Sequence, residues 1–151
     1  MNTTVQTSYP DRIPVAVAGQ VANMVPATFI SRTVEGADDL EFGTAAAQGA
    51  LDKGCVPFGT GATNILGIVV RERSLDANTP DAFPPESSAR IMTKGVVWVT
   101  ASVEVDAGDP VYVIPATGAF AKTSASSAEL ITGARWDTSA GAGELAQVRL
   151  S

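Results

Sequence analysis

The chain has no histidine, one cysteine (Cys55) and only three lysines among its 151 residues. Without histidine, and with a lone thiol, the usual zinc, haem, copper and iron–sulfur ligand sets are excluded. Serine–histidine and cysteine–histidine nucleophile pairs are excluded with them. One cysteine forms no internal disulfide, so the fold is not an oxidised mini-scaffold. Charged residues make up 17% of the chain, against roughly 25% in an average soluble protein. No apolar run approaches the ~20 residues of a membrane span. The stretch Met1-Asn2-Thr3-Thr4-Val5-Gln6-Thr7 has neither the basic start nor the apolar run of a secretory signal.

Basic residues are scarce as well. Ten Lys and Arg stand against sixteen Asp and Glu, for a net charge of −6. The densest basic group, Arg71-Glu72-Arg73, is interrupted by an acid. Neutralising phosphates needs clustered cations. Nucleic acid and anionic membrane are therefore not the expected partners.

What the chain has in quantity is small and β-branched: 24 alanines, 17 valines, 15 threonines, with 14 glycines and 9 prolines scattered along it. That composition favours short strands, tight turns and close packing over long helices. Residues 1–14 lack periodicity and carry Pro10 and Pro14 around Asp11-Arg12-Ile13. They are expected to form an extended arm, reaching at most about 46 Å. Strands are expected over Val15–Val21, interrupted or bulged at Gly19, over Ala27–Val34, and briefly within 42–50. The run Ile65 to Arg73 is apolar first and charged at its exit, as a buried strand should be. A proline-bearing loop of about fifteen residues, Ser74 to Ser88, follows at the upper edge of ordinary loop lengths.

Beyond the loop, Ala89–Thr93 and Val96–Thr100 flank Lys94-Gly95, which predicts a hairpin turning at Gly95. Asp106–Pro110 is a turn that launches Val111–Ile114, and Thr117-Gly118 turns that strand into Ala119–Lys122. Ser124–Ala128 is low-complexity and is expected to be a loop. Ile131–Asp137 and Glu144–Leu150 complete the pattern, with Ala146, Val148 and Leu150 on one buried face. Eight to ten short strands at this spacing specify an all-β fold. The expected architecture is a single compact β-sandwich or barrel, jelly-roll-like, over residues 15–151, with the 1–14 arm.

Candidate chemistry is sparse. Gly59-Thr60-Gly61-Ala62-Thr63-Asn64 lacks both the Lys-Ser/Thr ending of a phosphate loop and the helix behind it. It is expected to be a turn. Glu35, Asp38, Asp39 and Glu41 are dense enough to consider Ca²⁺, but their spacing does not match a calcium loop. They are expected to form a solvated turn. A Ser88–Lys94 dyad fails because nothing would lower the pKa of a hydrated lysine. Nucleotide hydrolases of the dUTPase kind share the length, and Ser87-Ser88-Ala89-Arg90 is similar to their short phosphate motif. Their uridine loop and aromatic phosphate lid are absent. Trp98, Trp136, Tyr112 and Phe120 lie in or beside expected strands, where aromatics are usually core. Phe83, between Pro80 and Pro84-Pro85, sits on a stiffened loop that suits a contact anchor, or folds back over the barrel end. Cys55 is expected to be a small buried apolar residue.

Several segments, in order, resemble the head decoration or structural cement proteins of tailed double-stranded DNA bacteriophages. They are Tyr9–Gly19, Ser31–Gly36, Phe42–Ala45, Leu66–Arg71, Met92–Val99, Ala107–Val113 and Gly133–Ser139. The resemblance implies a non-enzymatic role on the virion. It would bind the outer surface of the capsid at capsomer junctions and stabilise the head against the pressure of packaged DNA. It implies the major capsid protein and further copies of itself, as dimer or trimer, as partners, and no cofactor or metal. On that reading the expected contacts are Tyr9, Arg12 and Ile13 on the arm, Phe83 and Pro84 on the loop, and Arg135 and Trp136. A β-sandwich receptor- or glycan-binding module on the virion surface is the alternative. Exposed aromatics in a shallow groove would favour it.

Overall fold

A computed structural model describes residues 11, 14–59, 61, 64–72 and 78–151. Eleven strands follow in chain order: β1 (Thr28–Val34), β2 (Leu40–Glu41), β3 (Ala45–Gln48), β4 (Gly54–Pro57), β5 (Ile65–Val69) and β6 (Ala82–Phe83). Then come β7 (Ser88–Thr100), β8 (Pro110–Val113), β9 (Phe120–Ala121), β10 (Glu129–Trp136) and β11 (Leu145–Leu150). A 3₁₀ turn at Ala125–Ser127 is the one helical piece among the described residues. The fold is all-β, as the composition demands.

The strand pairings close on themselves twice, and β7 belongs to both rings. In the first, β1 runs parallel to β4, which continues through antiparallel β3, β5 and β7. The ring closes where β7 meets β1, with Phe29 opposite Met92 and Ile30 opposite Ile91. In the second, β7 pairs with β11, then β10, β8 and β9. It closes through Ala101, just past β7, which bridges to Phe120 of β9. Closure leaves few free strand edges, the usual liability of a β-rich chain.

Each ring is filled by side chains. Val34, Ala46, Cys55, Val69, Ala89 and Ile91 come one or two from each strand of the first ring and share one core. The short β2–β6 ribbon lies against that core. Leu40 faces Phe83 across the ribbon, and Phe42 meets Phe83 edge to face at 5.1 Å. Alternation carries the neighbours Ala45, Ala47, Ile68 and Met92 to the opposite face. There they join Val97, Val99, Val111, Val113, Trp136 and Val148 in the larger core of the second ring. Small side chains on β3 let the two cores lie close together. In β11, Ala146, Val148 and Leu150 are buried while Arg149 is exposed, as its alternation predicts.

Two local expectations fail. The hairpin predicted at Lys94-Gly95 is one continuous thirteen-residue strand. An X-Gly pair makes a turn only if its flanking runs pair with each other, and here each half has other partners. Residues 88–94 pair with β1 and β5, and residues 95–100 with β11. Gly95, at φ +133°, supplies the bend that passes the strand from one ring to the next. Residues 15–21 are likewise no strand and make a single bridge, Val21 to Val97. Within the long loop, Ala82 and Phe83 pair as β6, and residues 73–77 lie outside the described part.

Candidate functional site

Most of the weighed motifs resolve into structural roles. Glu35 follows β1 directly and turns into the β3–β4 connection. Its carboxylate accepts hydrogen bonds from the Ala50 N–H (2.8 Å) and the Leu51 N–H (2.9 Å). Asp38, Asp39 and Glu41 are exposed. No cluster of three or more His, Cys, Asp or Glu side chains that could hold a metal occurs among the described residues. Ser88 and Lys94 lie on the same strand six residues apart, about 20 Å. They form no dyad. Gly59, Gly61 and Asn64 are described, and the chain runs from them into β5 rather than a helix.

Cys55 is fully buried in the first ring. Burial pushes its thiol up to about 11; Glu35 adds in the same direction and Arg32 opposes. Such a thiol is unreactive at neutral pH.

The expected contact residues are dispersed. Tyr9, Arg12 and Ile13 lie outside the described residues. Phe83 is buried beneath the first ring and Trp136 is 1% exposed in the second. The Trp136 indole N–H points at the Ala121 carbonyl, 3.4 Å away. Both rings are occupied by the chain's own core, so the surface at these two places belongs to their neighbours. Pro84 is half-buried and Arg135 exposed.

A surface feature that the periodicity did not single out lies just after the arm. From Ile13 to Ser31 the sequence carries no charge at all. Its described part forms a strap across β7. The Gly19 N–H donates to the Trp98 carbonyl (2.8 Å), the Trp98 N–H to Gln20 (2.9 Å), and the Ala22 N–H to Val96 (2.9 Å). Ala16 and Gly19 are buried. Val21 and Ala27 pack against the larger core, but four apolar side chains of the strap face solvent: Val15 is 87% exposed, Met24 100%, and Val17 and Val25 about two-fifths. Single exposed apolar residues are unremarkable, but four on one uncharged strap form a surface suited to burial against another protein. The absence of charge over 13–31 was the signal in the sequence that marks it.

The family described as structural cement protein (E217 gp24/Pam3 gp6) matches residues 5–151. The chain belongs to this family of phage proteins. Among solved structures, a chain from the capsid of Myoviridae phage XM1 superposes with a TM-score of 0.81. The two are 18% identical, and the match covers 99% of this chain and 98% of that one. The head fibre gp8.5 N base of bacteriophage phi29 gives a TM-score of 0.49 at 10% identity, covering 83% and 95%. No curated protein matches the chain. The cement protein is thus a decoration component of the phage capsid, and the resemblance carried by its ordered segments holds.

Proposed function

We propose that this cement protein binds the outer surface of the phage head at junctions between capsomers, as a homodimer or homotrimer, and holds the shell against the pressure of packaged DNA. The observation that carries the reading is the uncharged strap with Val15, Val17, Met24 and Val25 in water. Leu51, Val103 and Leu130 are exposed elsewhere, each on a different segment, whereas these four share one uncharged strap, which favours burial against a partner. The capsid surface is that partner. The net charge of −6 fits an exterior position in which nucleic acid is not bound.

Two regions divide the work. Residues 15–151 are the β-domain, and residues 1–14 are an arm that lies across a neighbouring subunit with Tyr9, Arg12 and Ile13 as anchors. Pro84 and Arg135, beside the buried Phe83 and Trp136, offer further contacts. Each copy makes modest contacts, and linkage into an oligomer raises the effective affinity by about 10²–10⁴.

The direct test incubates folded protein with undecorated heads and measures the bound fraction. Deleting residues 1–13 is expected to weaken binding; binding at the wild-type level would remove the arm from the mechanism. Val15→Asp with Met24→Asp places charge on the strap without touching either core. It is expected to lower head binding by at least about tenfold, with the unfolding midpoint unchanged.

A further inference from the structure

The strap has little to hold it. Of its described residues only Ala16 and Gly19 are fully buried; Val21 and Ala27 pack at the margin of the larger core, and the Val15–Gly19 part has neither a strand ladder nor an apolar stripe directed inward. Its position nevertheless fixes the direction in which Val15 and Val17 point. A surface segment with so few anchors is held by whatever specific bonds it makes.

Besides its three backbone bonds to β7, the strap is fastened at Ala18 and Gly19 by one residue of the first ring's exit. Arg71 follows β5, where the chain leaves the first ring. Its backbone N–H donates to the Gly19 carbonyl at 2.8 Å, and its side-chain Nε donates to the Ala18 carbonyl at 3.1 Å. The guanidinium is itself held from two further directions. It stacks over the Phe42 ring, 5.0 Å from the centroid, and its Nη1 donates to the Asp81 carboxylate at 2.6 Å. Phe42 is anchored in turn by Phe83. Beneath this clasp the backbones of Gly19 and Gly43 are in near contact. A Cβ on Gly19 would lie 2.8 Å from the Gly43 nitrogen, and one on Gly43 2.7 Å from the Gly19 nitrogen. The close approach lets Arg71 reach two successive carbonyls of the strap. The planar, forked guanidinium is suited to this, because one face, one edge and one end are satisfied at the same time.

We infer that Arg71 is the positioning residue of the capsid-contact strap: it fastens Ala18 and Gly19 to the first ring and so presents Val15 and Val17 already in their bound orientation. The inference rests on the reading of the strap as the capsid contact. Preorganisation removes the ordering cost from the binding step, so loosening the clasp should cost affinity although Arg71 itself touches no partner.

The test uses the full chain and undecorated heads. Arg71→Met keeps the aliphatic stem over Phe42 and the backbone N–H, and removes the Nε and Nη donors. Two quantities are read together: amide exchange at Gly19, Ala22 and Trp98, and affinity for heads. The expected result is exchange at least about tenfold faster at these amides, unchanged exchange in β5 and β11, and affinity reduced by about tenfold. Unchanged exchange at Gly19 overturns the clasp. Faster exchange with unchanged affinity overturns the positioning role. The strap variant Val15→Asp/Met24→Asp separates the two levels. If it binds normally, the strap is not the contact and the underlying reading fails. If it loses binding while Arg71→Met does not, only the inference about Arg71 fails. Should Arg71→Met not fold, Asp81→Asn is read in its place. It removes the outer support of the guanidinium, and it is expected to shift the same amides in the same direction by a smaller factor; no shift overturns the clasp.

Discussion

Single side chains in this protein are placed for support, and two of them make measurable predictions. Glu35 satisfies two backbone donors of the β3–β4 connection. Charge-assisted bonds of this kind are stronger than neutral ones. Glu35→Ala is expected to lower stability by about 2 kcal/mol, a fall in Tm of about 4–8 °C for a chain of this size. Differential scanning calorimetry would show it. Cys55 predicts a pH dependence. Its thiol titrates near 11 in the folded protein, against 9.0 ordinarily, so on raising the pH the unfolded chain loses its proton first. Stability from this group is full below about pH 9 and falls between 9 and about 11, by about 3 kcal/mol in all. Urea midpoints for wild type and Cys55→Ala measured across that range should converge as the pH rises, because the alanine variant lacks this loss.

At the level of elements, β7 decides the architecture and Gly95 decides β7. A Cβ at Gly95 would stand 2.9 Å from the Ala27 Cβ and 3.0 Å from the Met92 sulfur, at a φ of +133° that L-residues avoid. Gly95→Ala combines backbone strain with a clash against Ala27 and the Met92 side chain. It is expected to destabilise by about 2 kcal/mol or more, visible as a lower denaturation midpoint with unchanged m-value. The same position explains why the sequence misleads locally. Lys94-Gly95 between β-prone runs is the composition of a two-residue turn. What cancels the turn is non-local: β1 and β5 on one half of β7, and β11 on the other. The turn after Asp106 also bonds to distant Trp136 and Ser139, but it closes on itself locally. The Asp109 N–H returns to the Asp106 carbonyl at 3.1 Å within the segment itself, and there the expectation matches the structure.

For the molecule as a whole, two closed rings sharing one strand require pairings distant in sequence, β1 with β7 and β7 with β11 above all. Refolding is expected on the millisecond-to-second scale of non-local β-proteins, measurable by stopped-flow fluorescence of Trp98 and Trp136. Amide exchange should be slowest in β7, which both rings must open to expose. The aromatic residues expected at the partner surface take their place here. Phe83→Ala and Trp136→Ala are expected to cost about 3–5 kcal/mol each, because their rings fill the two cores. At temperatures where the variants remain folded, their affinity for undecorated heads should be that of wild type. A selective loss of binding would instead place these rings at the interface.

The sequence by itself determined the class of the protein and its family. The absence of histidine, the paucity of charge and the spacing of turns leave an all-β chain without the usual catalytic or metal-binding sets, and the order of its segments points to phage cement proteins. The alternation in β11, the turns flanking β8 and the burial of Cys55 were legible because each depends on nearest neighbours along the chain or on simple hydrophobicity. Tertiary structure decided what depends on meetings between distant residues. Phe83 on a proline-rich loop suits either a contact anchor or a loop folded back over the barrel end, and Phe42, forty-one positions earlier, decides for the second by giving it a ring to pack against. Val15 and Val17 look like core positions in a strand, yet the strap gains too few partners on β7 to bury them. For these residues burial depends on where two distant segments of chain meet, and the local pattern around them does not contain that information.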